Sequence, residues 1–267
     1  MSGPTQKNMD DREAYRGSRK HILDWVESPQ FIAELTEMLK PVNAVIPAAA
    51  AYLPKGYASP REARLDSLDA GLAVVESVRE PLRNWWLEHH RGANTPNWDL
   101  VVECEIEGRP GLVLVEAKAN WPELKVEGKS SKPEDSPNSR ANHDRIRDAI
   151  AEARAGLGVV APGIDIRIDS HYQLANRVAF LWKLATLGIP TVLVYLGFTG
   201  DEGIRDAGAP FEDDADWRHA FSDYTKNQIP ASIFERRLEL GAAPAWFLVR
   251  SRAVLEQSAA RAGYRVE

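Results

Sequence analysis

Residues 98–118 have the sequence WDLVVECEIEGRPGLVLVEAK, and this stretch decides the fold of the chain. Every second residue from Leu100 to Ile106 is apolar, which is typical of a β-strand with one buried face. The following segment from Leu112 to Ala119 is apolar almost throughout, as expected for a strand inside a sheet. Residues 107–111 (EGRPG) predict a turn between them. The stretch therefore predicts a β-hairpin.

Polar residues gather at the open end of this hairpin. Positions two apart in a strand share a face, so Glu116 and Lys118 project together. Asp99 begins the partner strand, and a turn centred on Gly108 would place it opposite Ala117, since 99 and 117 are equidistant from 108. The sequence thus predicts that two carboxylates and one ammonium group meet at one end of a sheet.

Such a set of groups suits the hydrolysis of phosphodiester bonds. Mg²⁺ prefers oxygen ligands and keeps several waters, so one or two carboxylates plus a phosphate can hold it. The metal polarises the phosphate and lowers the pKa of a bound water, while a lysine can orient that water. The alternative for a Glu-x-Lys on a strand is a solvated cross-strand pair. The apolar residues directly before Glu116 favour burial, and a buried carboxylate needs a partner or a metal.

The pairing of Asp99 with Glu116-Ala117-Lys118 resembles the motif of the PD-(D/E)xK nuclease superfamily, which has the restriction-endonuclease-like fold. Trp98 stands where the motif name has proline. The resemblance covers residues 65–198 and implies an α/β fold, a mixed sheet flanked by helices. It implies Asp99 and Glu116 as ligands of Mg²⁺ or Mn²⁺, and Lys118 as the residue that positions water.

The resemblance also implies site residues on the neighbouring helices. The family often supplies a further metal ligand from the helix before the hairpin, for which Glu76 is the candidate and Glu80 the alternative. Some exonuclease branches place Gln-x-x-x-Tyr on the helix after it, predicted here from His171 to Leu187. Gln173 matches the glutamine, and Arg177 takes the tyrosine position, where an arginine could hold a phosphate. Both are predicted to bind substrate, with satisfaction of a buried helix end as the alternative.

The remaining chain predicts elaborations around this core, helical on the N-terminal side and α+β on the C-terminal side. Residues 1–18 are predicted to be disordered, and 19–267 to form a single domain. Ser59 and Glu62 form a capping box before apolar residues at helical spacing up to Val78, which predicts a helix that Pro81 kinks or restarts and that then runs towards His90. Residues 121–140 are predicted to be a mobile surface loop, and Asn142 to cap the next helix.

Composition limits the possible functions. The 267 residues, 44% hydrophobic, suit one large domain, with no signal peptide and no apolar run long enough for a bilayer. Cys104 is the single cysteine, so an internal disulfide is excluded. A cytoplasmic protein without a membrane partner is the simplest interpretation. The net charge of −6 disfavours coating of nucleic acid by charge alone, but a local basic groove remains possible.

These observations predict a metal-dependent nuclease whose partner is nucleic acid. DNA is favoured over RNA as the substrate, and the expected setting is repair, restriction or defence. The alternative is a catalytically inactive nucleic-acid- or protein-binding module on the same fold. Oligomeric state is left open.

Overall fold

The structure is a computed structural model and describes residues 14–67 and 71–254. The strands in this part of the chain are β1 (Tyr52–Leu53), β2 (Ala63–Arg64), β3 (Asn97–Trp98), β4 (Leu100–Ile106), β5 (Arg109–Lys118), β6 (Thr191–Thr199), β7 (Arg237–Glu239) and β8 (Pro244–Ala253). The helices are α1 (Gly17–Val26), α2 (Phe31–Met38), α3 (Ala73–Glu76), α4 (Arg79–Trp86), α5 (Pro137–Gly158), α6 (Tyr172–Thr186) and α7 (Asp214–Thr225). Short 3-10 turns span Lys40–Val42, Trp121–Glu123, Glu202–Ile204 and Ala231–Ile233.

Six strands form one mixed sheet in the order β1-β4-β5-β6-β8-β7. Strands β5, β6 and β8 are parallel, while β1, β4 and β7 each pair antiparallel with their neighbours. Helices α1 and α2 pack on one face of the sheet, and α3 to α7 pack on the other. The prediction of a mixed sheet flanked by helices is therefore confirmed. Among the described residues, no helix is long and apolar enough to cross a bilayer.

The predicted hairpin is formed by β4 and β5. Its two-residue turn, Glu107-Gly108, has φ values of 52° and 72°, and a type I′ hairpin turn requires such positive values at both positions. The pairing of Leu100 with Val115 places Asp99 opposite Glu116 when the register is continued by one residue. The sequence-based register, with Asp99 opposite Ala117, was therefore wrong by one residue. Because directly opposite residues share a face, the two carboxylates start on the same side of the sheet.

Strand β6 follows β5 through the helical crossover of α5 and α6 and lies parallel beside it. All nine of its residues are buried, as expected for a parallel strand covered on both faces. Cys104 is buried on the face opposite Glu116, together with Val102 and Ile106. Burial raises the pKa of this thiol to about 12.

The helix predicted to begin at Ser59 was wrong in its first part, whereas α4, with Pro81 in its first turn, lies where the restarted helix was predicted. Strand β2 lies in that segment and pairs with β3 in a separate two-stranded sheet. The side chain of Glu62, predicted to close the capping box, instead forms an ion pair with Arg19. Tertiary pairing thus outweighs a local helix signal, and in the described part of residues 59–78 only α3 is an α-helix. Leu68, part of the predicted apolar stripe, lies outside the described residues.

The predicted cap at Asn142 was also wrong. Helix α5 begins at Pro137, where Ser136 Oγ accepts a hydrogen bond from the N–H of Ser139. Asn142 lies inside the helix, and its side-chain amide exchanges hydrogen bonds of 2.7 Å with the backbone N–H and C=O of His89. Of the N-terminal segment predicted to be disordered, residues 1–13 lie outside the described residues, and α1 begins within its last part, at Gly17.

Candidate active site

Asp99 lies at a corner of the chain. Strand β3 belongs to the small sheet with β2, and β4 belongs to the main sheet, so Asp99 is the residue between the two sheets. Its Oδ2 accepts a hydrogen bond of 2.8 Å from the N–H of Ala117. Its Oδ1 has no hydrogen-bond partner within the described part of the chain, and the side chain is only partly buried. One carboxylate oxygen of Asp99 is therefore open to a ligand.

Glu116 lies across from this corner and is only 1% exposed. Lys118 Nζ is 2.6 Å from its Oε1, and Arg177 Nε is 2.6 Å from its Oε2. Lys118 Nζ also donates to Gln173 Oε1 at 2.8 Å. The buried charge of Glu116 is thus compensated by two cations, one from its own strand and one from α6.

Each of the three guanidinium nitrogens of Arg177 donates a hydrogen bond. Besides Glu116, it donates to Asn176 Oδ1 through Nη1 at 2.8 Å and to the carbonyl oxygen of Asn97 through Nη2 at 2.6 Å. Its Cζ lies 4.5 Å from the ring centroid of Trp98, within the range of a cation–π interaction. The residue is 6% exposed. These contacts connect α6 with both the corner and β5.

The environment drives the pKa values of the two carboxyl groups apart. Burial and the nearby charge of Glu116 raise the pKa of Asp99 to about 7, although Lys118, Ala117 N–H and Arg177 oppose this. Burial alone would raise the pKa of Glu116, but Arg177 and Lys118 outweigh it and hold that pKa below its usual value. Near pH 7 the metal-free site therefore contains one ionised carboxylate and one that is close to half protonated. Paired groups with separated pKa values are typical of acid–base sites.

Comparisons with protein-family models, with curated proteins and with solved structures find no match for this chain. The site must therefore be judged on its geometry.

The structure brings together five of the residues singled out from the sequence: Asp99, Glu116, Lys118, Gln173 and Arg177. It does not bring Glu76 or Glu80 to them. Both of these side chains are exposed, Glu76 at the end of α3 and Glu80 in α4, 3.6 Å from Arg83. In the described ranges, no three His, Cys, Asp or Glu side chains come together to hold an ion. A ligand role for Glu76 stays a prediction.

Sequence reasoning missed three residues at this site, Asn97, Asn176 and Tyr195. Tyr195 lies beside Glu116 on β6, fully buried, and its hydroxyl has no hydrogen-bond partner among the described residues. Burial, with Tyr224 and Glu116 adding to it, raises its pKa well above the usual value. In the sequence, Tyr195 stands out only as a hydroxyl-bearing residue inside an otherwise apolar run. Asn97 stands out only because it lies next to the motif.

The carboxylate oxygens of the site are the kind of ligand atom that a hard divalent cation prefers. Asp99 and Glu116 supply carboxylate oxygens from neighbouring strands, and one oxygen of Asp99 is open. Mg²⁺ needs only one or two carboxylates because waters and substrate phosphate complete its shell. In the part of the chain that the structure describes, no cysteine or histidine is hydrogen-bonded to Asp99 or Glu116, and these are the ligands that zinc prefers.

Proposed function

We propose that this protein is a metal-dependent nuclease that hydrolyses phosphodiester bonds, with DNA as the expected substrate. The observation that carries the proposal is the meeting of Asp99, Glu116 and Lys118 at one end of the β4–β5 hairpin. A restriction-endonuclease-like fold is part of the proposal. It is supported by the chain order, in which the hairpin is followed by a helix that contacts the site and then by the parallel strand β6.

Asp99 and Glu116 would hold Mg²⁺ or Mn²⁺, and a bound metal supplies polarisation of the phosphate and a water of lowered pKa. Lys118 acts beside it. An ammonium group has three N–H donors, and Glu116 and Gln173 accept two of them. The third has no acceptor among the described residues, and in the proposed mechanism it orients a water or donates to a phosphate oxygen, where positive charge offsets the negative charge of the transition state.

Gln173 is placed to contact the substrate. Its side-chain oxygen accepts from Lys118, so its Nε2 points elsewhere and has no partner within residues 14–67 and 71–254. The residue is partly exposed at the start of α6. An amide N–H in this position can donate to a phosphate oxygen and can hold Lys118 in its orientation at the same time.

The alternative is a catalytically inactive binding module, and one observation favours it. Both oxygens of Glu116 are already paired with cations, so the cluster has no large excess of negative charge to attract a metal. In that case the Glu116–Lys118–Arg177 contacts would serve only to fix α6 against the sheet. For either function we propose a cytoplasmic protein that acts on or binds nucleic acid, for the nuclease in repair, restriction or defence.

Cleavage assays on single- and double-stranded DNA and RNA with Mg²⁺ or Mn²⁺ test the proposal. The wild type is compared with Glu116→Gln and with Glu105→Gln, a matched change at an exposed position of the same hairpin. We expect metal-dependent cleavage that is lost in Glu116→Gln and retained in Glu105→Gln. If the wild type cleaves none of the four substrates but still binds one of them, the binding module replaces the nuclease.

A further inference from the structure

Arg177 offers little to a substrate. Three of its five guanidinium N–H groups, one on each nitrogen, donate to protein acceptors, and its flat face lies against Trp98. A phosphate ligand needs N–H groups that point into accessible space, usually as a two-pronged fork. Here the fork is used inside the protein, on Glu116 and the carbonyl of Asn97.

The position of the backbone at Asn97 and Trp98 is not fixed by pairing with the main sheet. These two residues form β3, which is paired with the two-residue strand β2 and not with the main sheet. The chain then passes into the main sheet at Asp99. Among the described residues, the corner is connected to the site by the hydrogen bond between Asp99 and Ala117 and by the contacts of Arg177 with Asn97 and Trp98, and Trp98 also packs against Phe180 of α6.

The same guanidinium thus contacts both carboxylate-bearing segments, Glu116 directly and Asp99 through the residues just before it. We infer that Arg177 is a positioning residue that fixes the relative placement of the Asp99 and Glu116 carboxylates, and is not a ligand of the substrate phosphate. This replaces the substrate-binding role predicted from the sequence. Its catalytic consequence rests on the proposed nuclease function, whereas its structural consequence does not.

A lysine cannot take over this role. Its ammonium is a single point on a flexible stem, so it can keep the charge next to Glu116 but cannot also reach Asn97 and stack on Trp98. Arg177→Lys therefore removes the contacts with Asn97 and Trp98 while keeping a positive charge next to Glu116. Arg250→Lys is the matched control, because Arg250 also bonds both a glutamate, Glu235, and a backbone carbonyl, on the opposite face of the sheet.

The first measurement is hydrogen exchange of the Ala117 amide in metal-free protein, which needs no activity. If Arg177 holds the corner, this amide exchanges about tenfold faster or more in Arg177→Lys, after correction for global stability, and is unchanged in Arg250→Lys. Unchanged exchange in Arg177→Lys overturns the inference. This measurement can be made even if the wild type cleaves no substrate. Failure of the inferred positioning role of Arg177 can therefore be distinguished from failure of the proposed nuclease function.

The second measurement separates the two roles by kinetics. For a positioning residue, kcat should fall about tenfold or more with KM changed by no more than about twofold, because placement of the carboxylates affects the chemical step. For a phosphate ligand, KM should rise while the exchange of Ala117 stays as in wild type, and that outcome also overturns the inference.

A third measurement uses the wild type, so that the inference can be tested even if Arg177→Lys does not fold. The side-chain Nε–H resonance of Arg177 should be protected from exchange and should not shift when inorganic phosphate is titrated. A shift of this resonance on addition of phosphate would contradict the inference.

Discussion

The carboxylate of Asp99 accepts a hydrogen bond from the backbone N–H of Ala117, with 2.8 Å between Oδ2 and N. Ala117 lies between Glu116 and Lys118, so this bond ties the corner residue to the strand that holds the other two groups. The donor is the backbone N–H of Ala117. An asparagine at position 99 can therefore still accept this hydrogen bond through its side-chain oxygen. Charge and geometry at this position can therefore be separated by mutation.

Asp99→Asn should stabilise the metal-free protein at high pH. The folded-state pKa of Asp99, about 7, lies above the usual aspartate value of 3.8, so the fold favours the neutral form. The contribution of Asp99 to stability is then fully present below about pH 4 and is lost as the pH rises through about 7. We expect the variant to raise the free energy of unfolding by on the order of 2 kcal/mol at pH 8 and by almost nothing at pH 4.

Chemical denaturation in the presence of a chelator at both pH values measures this difference. Asp148→Asn is the control, because Asp148 is an exposed aspartate of α5 and should give the same small effect at both pH values. An Asp99→Asn effect that does not depend on pH would contradict the raised pKa.

Asp99→Asn and Lys118→Ala should abolish hydrolysis by different routes. Loss of the Asp99 charge removes a negative ligand, so metal affinity should fall and added Mn²⁺ should rescue part of the activity. Lys118→Ala removes a positive charge next to Glu116 and should bind metal as well as wild type or better. Its defect should lie in the chemical step, at about 3 kcal/mol of transition-state stabilisation. Calorimetric Mn²⁺ titration beside single-turnover cleavage separates the two, and wild-type cleavage by either variant would place the active site elsewhere.

The loop of residues 121–140 should contribute to nucleic-acid binding. Backbone hydrogen bonds from Lys129 N–H to the Ile168 C=O and from His171 N–H to the Val126 C=O fasten it beside the start of α6, next to Gln173. Four cations in this segment are exposed: Lys125, Lys129 and Lys132 in the loop, and Arg140 in the first turns of α5, which begins at Pro137 and so shortens the predicted loop. Neutralising all four should weaken binding and reduce the magnitude of the salt slope by up to about 3 for a single strand.

Fluorescence anisotropy at several salt concentrations measures this slope. A control variant neutralises four exposed cations outside the loop: Lys40, Lys55, Arg205 and Lys226. If both variants lose the same affinity, the effect is one of net charge, and the loop is only a connector.

Gly197→Ala should destabilise the packing of α7. Gly197 lies on β6 beside Lys118, and a Cβ there would be 2.3 Å from the ring of the fully buried Trp217. Overpacking of this kind typically costs about 1–3 kcal/mol of unfolding free energy. Gly158→Ala is the control, because nothing lies within 4 Å of its Cβ position at the end of α5, and a gain of up to about 1 kcal/mol is expected. Thermal unfolding of both variants checks this, and equal melting temperatures would contradict the clash.

The hairpin and the two residues of its Glu-x-Lys were predictable because they follow from local periodicity. Alternation within each strand and the turn signal at Gly108 predict the hairpin, but the register was wrong by one residue, and the predicted register would put Asp99 on the face of Ala117 and not of Glu116. The continuous apolar run that predicts β6 is similarly local. These features depend on neighbours within about ten residues along the chain.

The contacts that complete the site were not predictable in the same way. Arg177 reaches Glu116 across 61 positions of sequence and Asn97 across 80, and no local pattern encodes such a contact. The wrong helix after Ser59 has the same origin, since pairing of β2 with the distant β3 outweighs its capping box. The sequence thus indicated which groups are present, while their partners were set by packing.

The outer strands of the main sheet have a consequence for how the protein meets other copies of itself. Strand β1 has two residues and β7 has three, with the exposed charges Arg237 and Glu239 on the latter. Beyond β7, the side chain of Glu235 accepts from the Val249 N–H and pairs with Arg250, so it occupies part of the free border of β8. Short strands and charges leave few open backbone groups in a row for an added strand. Both borders of the sheet therefore oppose the edge-to-edge pairing that starts β-aggregation.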